Sequence, residues 1–204
     1  MAITTDFNTM LTTSPSLDVD IQAIELTSTQ PTLRSQTLSG RTQVRSFAGQ
    51  FFTARIIMPP LTQSQLRRVY AFLVQQQGGK SSFTIAPTNL QEVGGTQTNE
   101  EDLGTGATAS VGATTVTTDG SNIFKPGDMF NFNNHEKAYM VIDHNGTTLT
   151  FEPGVIVAQS QLSGHTIRSK DNFKMTVRLA NDDFTYRIGP DGFAKLQFDI
   201  VEAV

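Results

Sequence analysis

The cleanest alternation of apolar and polar positions lies near the end of the chain. Phe173, Met175, Val177 and Leu179 alternate with Lys174, Thr176 and Arg178, a period of two that predicts a half-buried strand. A second strand is predicted over 193–201, with Leu196, Phe198 and Ile200 inward and Lys195, Gln197 and Asp199 outward. Near the start, Val19, Ile21 and Ala23 alternate with polar residues, then the phase shifts to Ile24 and Leu26. Alternation with one slip predicts a strand with a bulge. Residues 42–48 alternate around Val44 and Phe47, after a Ser39-Gly40 turn signal. Phe51–Met58 is denser, as in a strand buried on one face and partly covered on the other.

One segment changes period. Pro59-Pro60 ends the preceding strand, and Thr62 with Gln65 three residues later forms a capping box. Leu66, Val69, Tyr70 and Leu73 then recur at helical spacing until Gly78-Gly79, which predicts a helix over about 63–77. Arg67 and Arg68 sit off that stripe. A lone helix among strands implies a sheet with one helix packed on it. The whole stretch from Thr32 to Leu73 thus reads as polar-faced strands followed by a capped helix, with little chemistry in it.

Phe83–Ala86 predicts a short strand. Beyond Pro87 the composition shifts to Gly, Thr and Asn, with the acidic run Glu100-Glu101-Asp102, as in a linker or long solvated loop. Residues 109–169 read as a separate small β unit. Val111 and Val116 flank Gly112. Met129, Phe130 and Phe132 follow Gly127-Asp128, and Tyr139–Ile142 is a strand. Asn145-Gly146 is a hairpin signal, and Leu149 and Phe151 lie on the return strand up to Pro153-Gly154. Short strands with regular turns fit a small barrel or sandwich. The predicted fold class is mainly β (α+β): a β-barrel or sandwich core domain with one packed helix, interrupted by a small inserted β-barrel-like domain. The predicted organisation is an N-terminal arm at 1–17, a core domain of 18–88 and 170–204, a linker at 89–108 and the insert at 109–169.

Composition favours packing over chemistry. Charged residues are 17% of the 204, below the roughly 25% of a typical soluble domain. Thr, Ser, Gln and Asn fill the gap, a surface suited to packing against copies of itself. Net charge is −4 and the pI is about 5.3, so no sequence-specific nucleic-acid partner is expected. The segment from Arg34 to Lys80 is the exception, with many basic residues and no acidic one. Arg34, Arg41, Arg45 and Arg55 fall at polar strand positions. They are expected to meet acidic strands elsewhere, or across a subunit boundary. The absence of cysteine excludes disulfides and thiolate chemistry. MAITTDFNTMLTTSPSL lacks the basic and apolar regions of a signal peptide. No run reaches the roughly 18 apolar residues of a membrane span. The expectation is a soluble protein made in a cytoplasm, with no membrane partner.

Candidate chemistry is sparse. His135-Glu136 and Asp143-His144 bracket a strand predicted over Lys137–Ile142. A strand of that kind sets its ends roughly 20 Å apart, so turn placement is favoured over a metal site. His165 stands alone. Asp182-Asp183 has the form of a carboxylate pair, but Ala180-Asn181-Asp182-Asp183 also marks a hairpin turn. Gly104-Thr105-Gly106 lacks the strand-to-helix context of a phosphate loop, and no Gly-x-Ser-x-Gly elbow is present. Asn145-Gly146-Thr147 matches a glycosylation acceptor, without a secretory signal to make it relevant. No catalytic residue, cofactor site or metal site is expected, and the protein is read as not an enzyme.

Several runs carry a family resemblance. Leu38-Ser39-Gly40-Arg41-Thr42-Gln43, Phe47-Ala48-Gly49-Gln50, Met58-Pro59-Pro60-Leu61-Thr62 and Tyr70-Ala71-Phe72-Leu73 resemble tail proteins of tailed bacteriophages. So do Gly127-Asp128-Met129-Phe130, His135 to Val141, Leu149-Thr150-Phe151-Glu152-Pro153 and the ending Phe198 to Ala203. Their order across the chain is the stronger signal, and the class resembled is the distal tail protein. The resemblance implies a β-barrel with a helix that forms a hexameric ring, joining the tail tube to the tail tip and baseplate hub. It implies the tail tube protein, the hub or tip protein and the tape measure protein as partners. It implies a place in the virion tail, after assembly in the host bacterial cytoplasm. Some members carry a carbohydrate-binding module on an outer β domain. Here the second unit is small and sits inside the core domain, and Phe130, Phe132, Tyr139 and Phe151 fall at positions that point mostly inward. Other tail rings (tube, terminator or head–tail adaptor) and a receptor- or carbohydrate-binding tail module are the alternatives.

Overall fold

The computed structural model describes residues 6–12, 19–46, 49–183 and 185–203. After α1 (Phe7–Thr12) come β1 (Ala23–Thr29), β2 (Thr32–Gln36), β3 (Thr42–Ser46) and β4 (Phe51–Ile57). Next are α2 (Gln63–Gln75), β5 (Phe83–Ile85) and the one-turn α3 (Thr88–Gln91). The middle of the chain holds β6 (Glu100–Asp102), β7 (Thr108–Ala109), β8 (Thr115–Thr117), β9 (Met129–Phe132), β10 (Tyr139–Asn145), β11 (Thr148–Glu152), β12 (Gln159–Ser160) and β13 (Thr166–Arg168). The last strands are β14 (Met175–Leu179), β15 (Tyr186–Ile188) and β16 (Ala194–Glu202). The protein is a β-rich α+β fold.

The first sheet is antiparallel, in the order β1-β4-β16-β14-β5, with β15 also paired to β16. β16 is central because its alternation is complete: Ala194, Leu196, Phe198 and Ile200 are buried, while Lys195 and Gln197 are exposed. The apolar face packs under α2 through Leu66, Val69, Phe72 and Leu73. The predicted capping box starts that helix: the Thr62 N–H donates to Gln65 Oε1 at 2.9 Å and the Gln65 N–H to Thr62 Oγ1 at 3.5 Å. The helix ends at Gln75, two residues short of the expectation.

Three further expectations are revised. Part of the predicted arm is core: Phe7 is fully buried, with its ring 5.4 Å from Phe72 and 5.7 Å from Phe198, both edge-on. Phe7, Met10 and Leu11 have helical spacing too short a run to stand out, and tertiary burial decides for helix. Asn8 exchanges two hydrogen bonds with the Ala86 backbone, at 2.7 and 2.8 Å. The remainder of 1–17 lies outside the described residues. The bulge predicted near Ala23 is absent from the β1 ladder, which runs in continuous register from Ala23 opposite Ile57 to Thr29 opposite Phe51. Ile21 is buried just ahead of the ladder, and Ala23 and Ile24, both half-buried, pair with successive residues of β4. Of the strand expected over 42–48, Thr42–Ser46 is strand, and Phe47 and Ala48 lie outside the described residues. The segment 89–108 is more than a linker: Glu100–Asp102 pairs with β13, and Leu103 is buried in the second core.

That second core gathers Val116, Phe124, Phe130, Phe132, Tyr139, Val141, Leu149, Phe151 and Ile167. Phe130 lies at its centre, stacked on Tyr139 at 5.5 Å and edge-on to Phe151 at 5.4 Å. The sheet runs β6-β13-β9-β10-β11-β8, with β7 and β12 paired separately. It curls until its end strands approach at one bridge, Leu103 to Thr118. A single bridge is not a ladder, so neither sheet forms the closed barrel that the expectation allowed. β9 is buried along its whole length. The reason is that Phe130 and Phe132 fill the second core while Met129, with Ala138, enters the first. No helix among the described residues is long and apolar enough to cross a membrane.

Candidate functional site

The histidines and Glu136 singled out by the sequence serve local structure, while Asp143 is exposed. His135 Nε2 lies 2.8 Å from the Tyr139 hydroxyl and Nδ1 2.6 Å from Asn134 Oδ1. The Tyr139 hydroxyl also accepts the Ile156 N–H at 3.3 Å. Burial, aided by His165 and Lys137, lowers the His135 pKa to about 4, and burial raises that of Tyr139 to about 12. The imidazole is therefore neutral, and this pair is a buried hydrogen-bond link. His144 is a second one: its Nδ1 accepts the Phe124 N–H at 3.1 Å, which puts the ring proton on Nε2, facing Thr118 Oγ1 at 3.0 Å. Burial lowers its pKa as well. Glu136 accepts from Asn131 at 3.0 Å and faces Arg168 at 3.7 Å. His165 Nδ1 accepts the Ser160 N–H at 3.0 Å, across a tight turn. No group of three or more His, Cys, Asp and Glu able to hold a metal occurs among the described residues.

Asp182 and Asp183 do not cooperate. Asp182 accepts the Gly79 N–H at 3.2 Å, beside Gly78 at φ +67°, and so secures the loop after α2. The surrounding residues are not the expected hairpin turn. β14 and β15 both pair antiparallel to β16, so they run in the same direction, and 180–183 follow β14 without a reversal of the chain. Gly104-Thr105-Gly106 turns into β7 with no helix following. Of the arginines, Arg55 meets Asp199 at 2.8 Å and stands opposite Glu25 in the β1–β4 ladder.

Arg34, Arg41 and Arg45 are different, and they mark the candidate site. They lie on the β2–β3 hairpin, whose turn is closed by the Gly40 N–H to Thr37 O and the Thr37 N–H to Arg41 O, each at 2.9 Å. Gly40 supplies φ +80° there. Every residue from 31 to 45 is exposed. The register places Leu33 opposite Arg45 on one face and Arg34 opposite Val44 on the other. Each face of the ribbon therefore shows one aliphatic side chain beside one guanidinium. Leu33 is 56% exposed and Val44 60%. An isolated two-stranded hairpin is marginal in water, so such a ribbon gains its stability from whatever covers it. The turn signal and the polar alternation predicted the strands; that neither face meets the core was not predictable, because alternation normally implies one buried face.

A buried ion pair also lies outside the residues that the sequence points to. Lys137 and Glu202 meet where the second core joins the first, with their side chains 2% and 0% exposed. One signal was available. Glu202 has the same parity in β16 as Ala194, Leu196, Phe198 and Ile200, so a carboxylate occupies an inward position.

The chain matches no protein-family model and has no significant match among curated proteins.

Proposed function

We infer that the protein is a structural subunit of a bacteriophage tail, a distal tail protein whose copies close a ring between the tail tube and the tip hub. Its work is assembly, and no residue is assigned to catalysis, to a cofactor or to a metal. The observation that carries this reading is the β2–β3 ribbon, exposed on both faces and bearing an aliphatic–arginine pair on each. A two-sided ribbon of this kind fits between neighbouring surfaces, as subunits of a closed heterologous ring require. The aromatic residues of the second unit add support by elimination: Phe130, Phe132, Tyr139 and Phe151 are fully buried and offer no stacking face to a sugar.

Light scattering and electron microscopy of the purified chain test this. The expected result is a ring with a central channel, near six times the 22.3 kDa of one chain. A strict monomer at high concentration, alone and with the tube and hub proteins, contradicts it.

A further inference from the structure

The outer face of the first sheet carries two cations that no carboxylate among the described residues answers. In the β15–β16 ladder Arg187 stands directly opposite Lys195, and both are exposed. Like charges directly opposite on a sheet destabilise the pair. They sit at the mouth of a cleft of about 620 Å³ whose floor includes Ile57, Met58, Pro60 and Leu196, and whose lining contains no Asp or Glu. Further along the same face, Arg55 has Asp199 at 2.8 Å and Glu25 across the ladder. This sheet neutralises a cation internally there and leaves two together here.

The complementary charge lies on the other half of the chain. Residues 100–169 carry eight Asp and Glu against three Lys and Arg. Of those cations, Lys137 is buried on Glu202 and Arg168 faces Glu136. Asp102 and Asp119 are exposed on one rim of the second sheet, held side by side by the Asp119 N–H to Asp102 O bond of 3.1 Å. Gln161 borders the same rim, and the turn Gln161–Ser163 raises Leu162, 84% exposed. An apolar knob beside two carboxylates matches an apolar floor beside two cations.

We propose that the Arg187–Lys195 cleft receives the Asp102–Asp119 rim of a second copy, with Leu162 entering its floor. The two surfaces differ, so the contact is head-to-tail and propagates until it closes. It rests on the assembly reading above and names one contact within it.

The test uses two full-length double variants, Arg187→Glu/Lys195→Glu and Asp102→Lys/Asp119→Lys, in analytical ultracentrifugation at low salt, with circular dichroism to verify folding. Each variant alone is expected to associate at least tenfold more weakly than the wild type. An equimolar mixture restores association, because the reversed charges again face opposite ones, and added salt weakens it. Where a reversal prevents folding, the neutral pair Arg187→Gln/Lys195→Gln must show the same loss. Association that survives both reversals, or a mixture no better than its components, overturns this contact and leaves the assembly reading standing. A wild type that is monomeric alone overturns this contact, and one that stays monomeric with the tube and hub proteins also present overturns both.

Discussion

The Lys137 ammonium and the Glu202 carboxylate form a buried ion pair that joins the second core to the last strand of the first. Lys137 Nζ also donates to Gln50 O at 2.9 Å and lies 5.6 Å from the centre of the Phe52 ring. The carboxylate accepts two backbone N–H groups, Phe52 at 3.1 Å through Oε2 and Ala138 at 2.8 Å through Oε1. Both charges are thus fully partnered away from water, which is the condition under which a buried pair is tolerated.

Removing one partner strands the other. Lys137→Ala and Glu202→Ala are each expected to lower stability by about 3–5 kcal/mol. The apolar double variant Lys137→Met/Glu202→Leu is expected to lose less than either, since no unpaired charge remains, although the Phe52 and Ala138 N–H groups lose their acceptor. Urea unfolding of the three variants measures this. Equal losses in all three would mean that packing, not charge pairing, sets the cost.

The ribbon is expected to separate folding from assembly. Leu33→Ser/Val44→Ser alters exposed positions and should change the stability of the isolated subunit by no more than about 0.5 kcal/mol. The same variant should lose the high-mass species in light scattering. A large fall in the subunit's own melting temperature would show instead that the ribbon packs on the domain.

Acid should weaken the fold through His135. The unfolded side chain takes up a proton below about pH 6.5, the folded one only below about 4. Between those values the unfolded state holds more protons, so stability falls as pH drops through the window. His144 acts in the same direction. At the alkaline end, Tyr139 keeps its proton to about 12 when folded and to about 10 when unfolded, so stability falls as pH rises between them. Denaturant midpoints across pH 4–7 should show a shallower slope in His135→Asn than in the wild type. Parallel slopes would remove His135 as the cause.

The helix cap is the simplest quantity to check. Thr62→Ala removes the acceptor for the Gln65 N–H and should cost about 1 kcal/mol, whereas Thr62→Ser should be close to neutral. Thermal unfolding of the two variants distinguishes a cap from a residue that merely fills space.

Legibility followed the range of the interaction. The α2 box and stripe, the Asn145-Gly146 hairpin and the alternation of β14 and β16 rest on residues within a few positions of one another, and all four were readable. The burial of Phe7 has no local signal because its partners, Phe72, Phe83 and Phe198, are far away in sequence. The neighbours of Asp182 and Asp183 suggest a turn, while the strand that organises this region is β16. The arginines at 34, 41 and 45 were visible as unbalanced charge, but nothing local distinguished them from Arg55, which Asp199 neutralises from 144 residues away.

By itself the sequence determined the secondary structure of the long periodic segments and the β-rich α+β class. Short-range patterns carry that information, because backbone geometry makes periods of two and 3.6 act over a few residues. Tertiary structure alone decided which strand edges and faces remain open. It joined Lys137 to Glu202, left Arg187 against Lys195, and exposed both faces of the 32–46 ribbon. Those outcomes depend on strand order, register and what each strand packs against, and these are set by how the whole apolar surface is buried at once, not by any segment's own pattern.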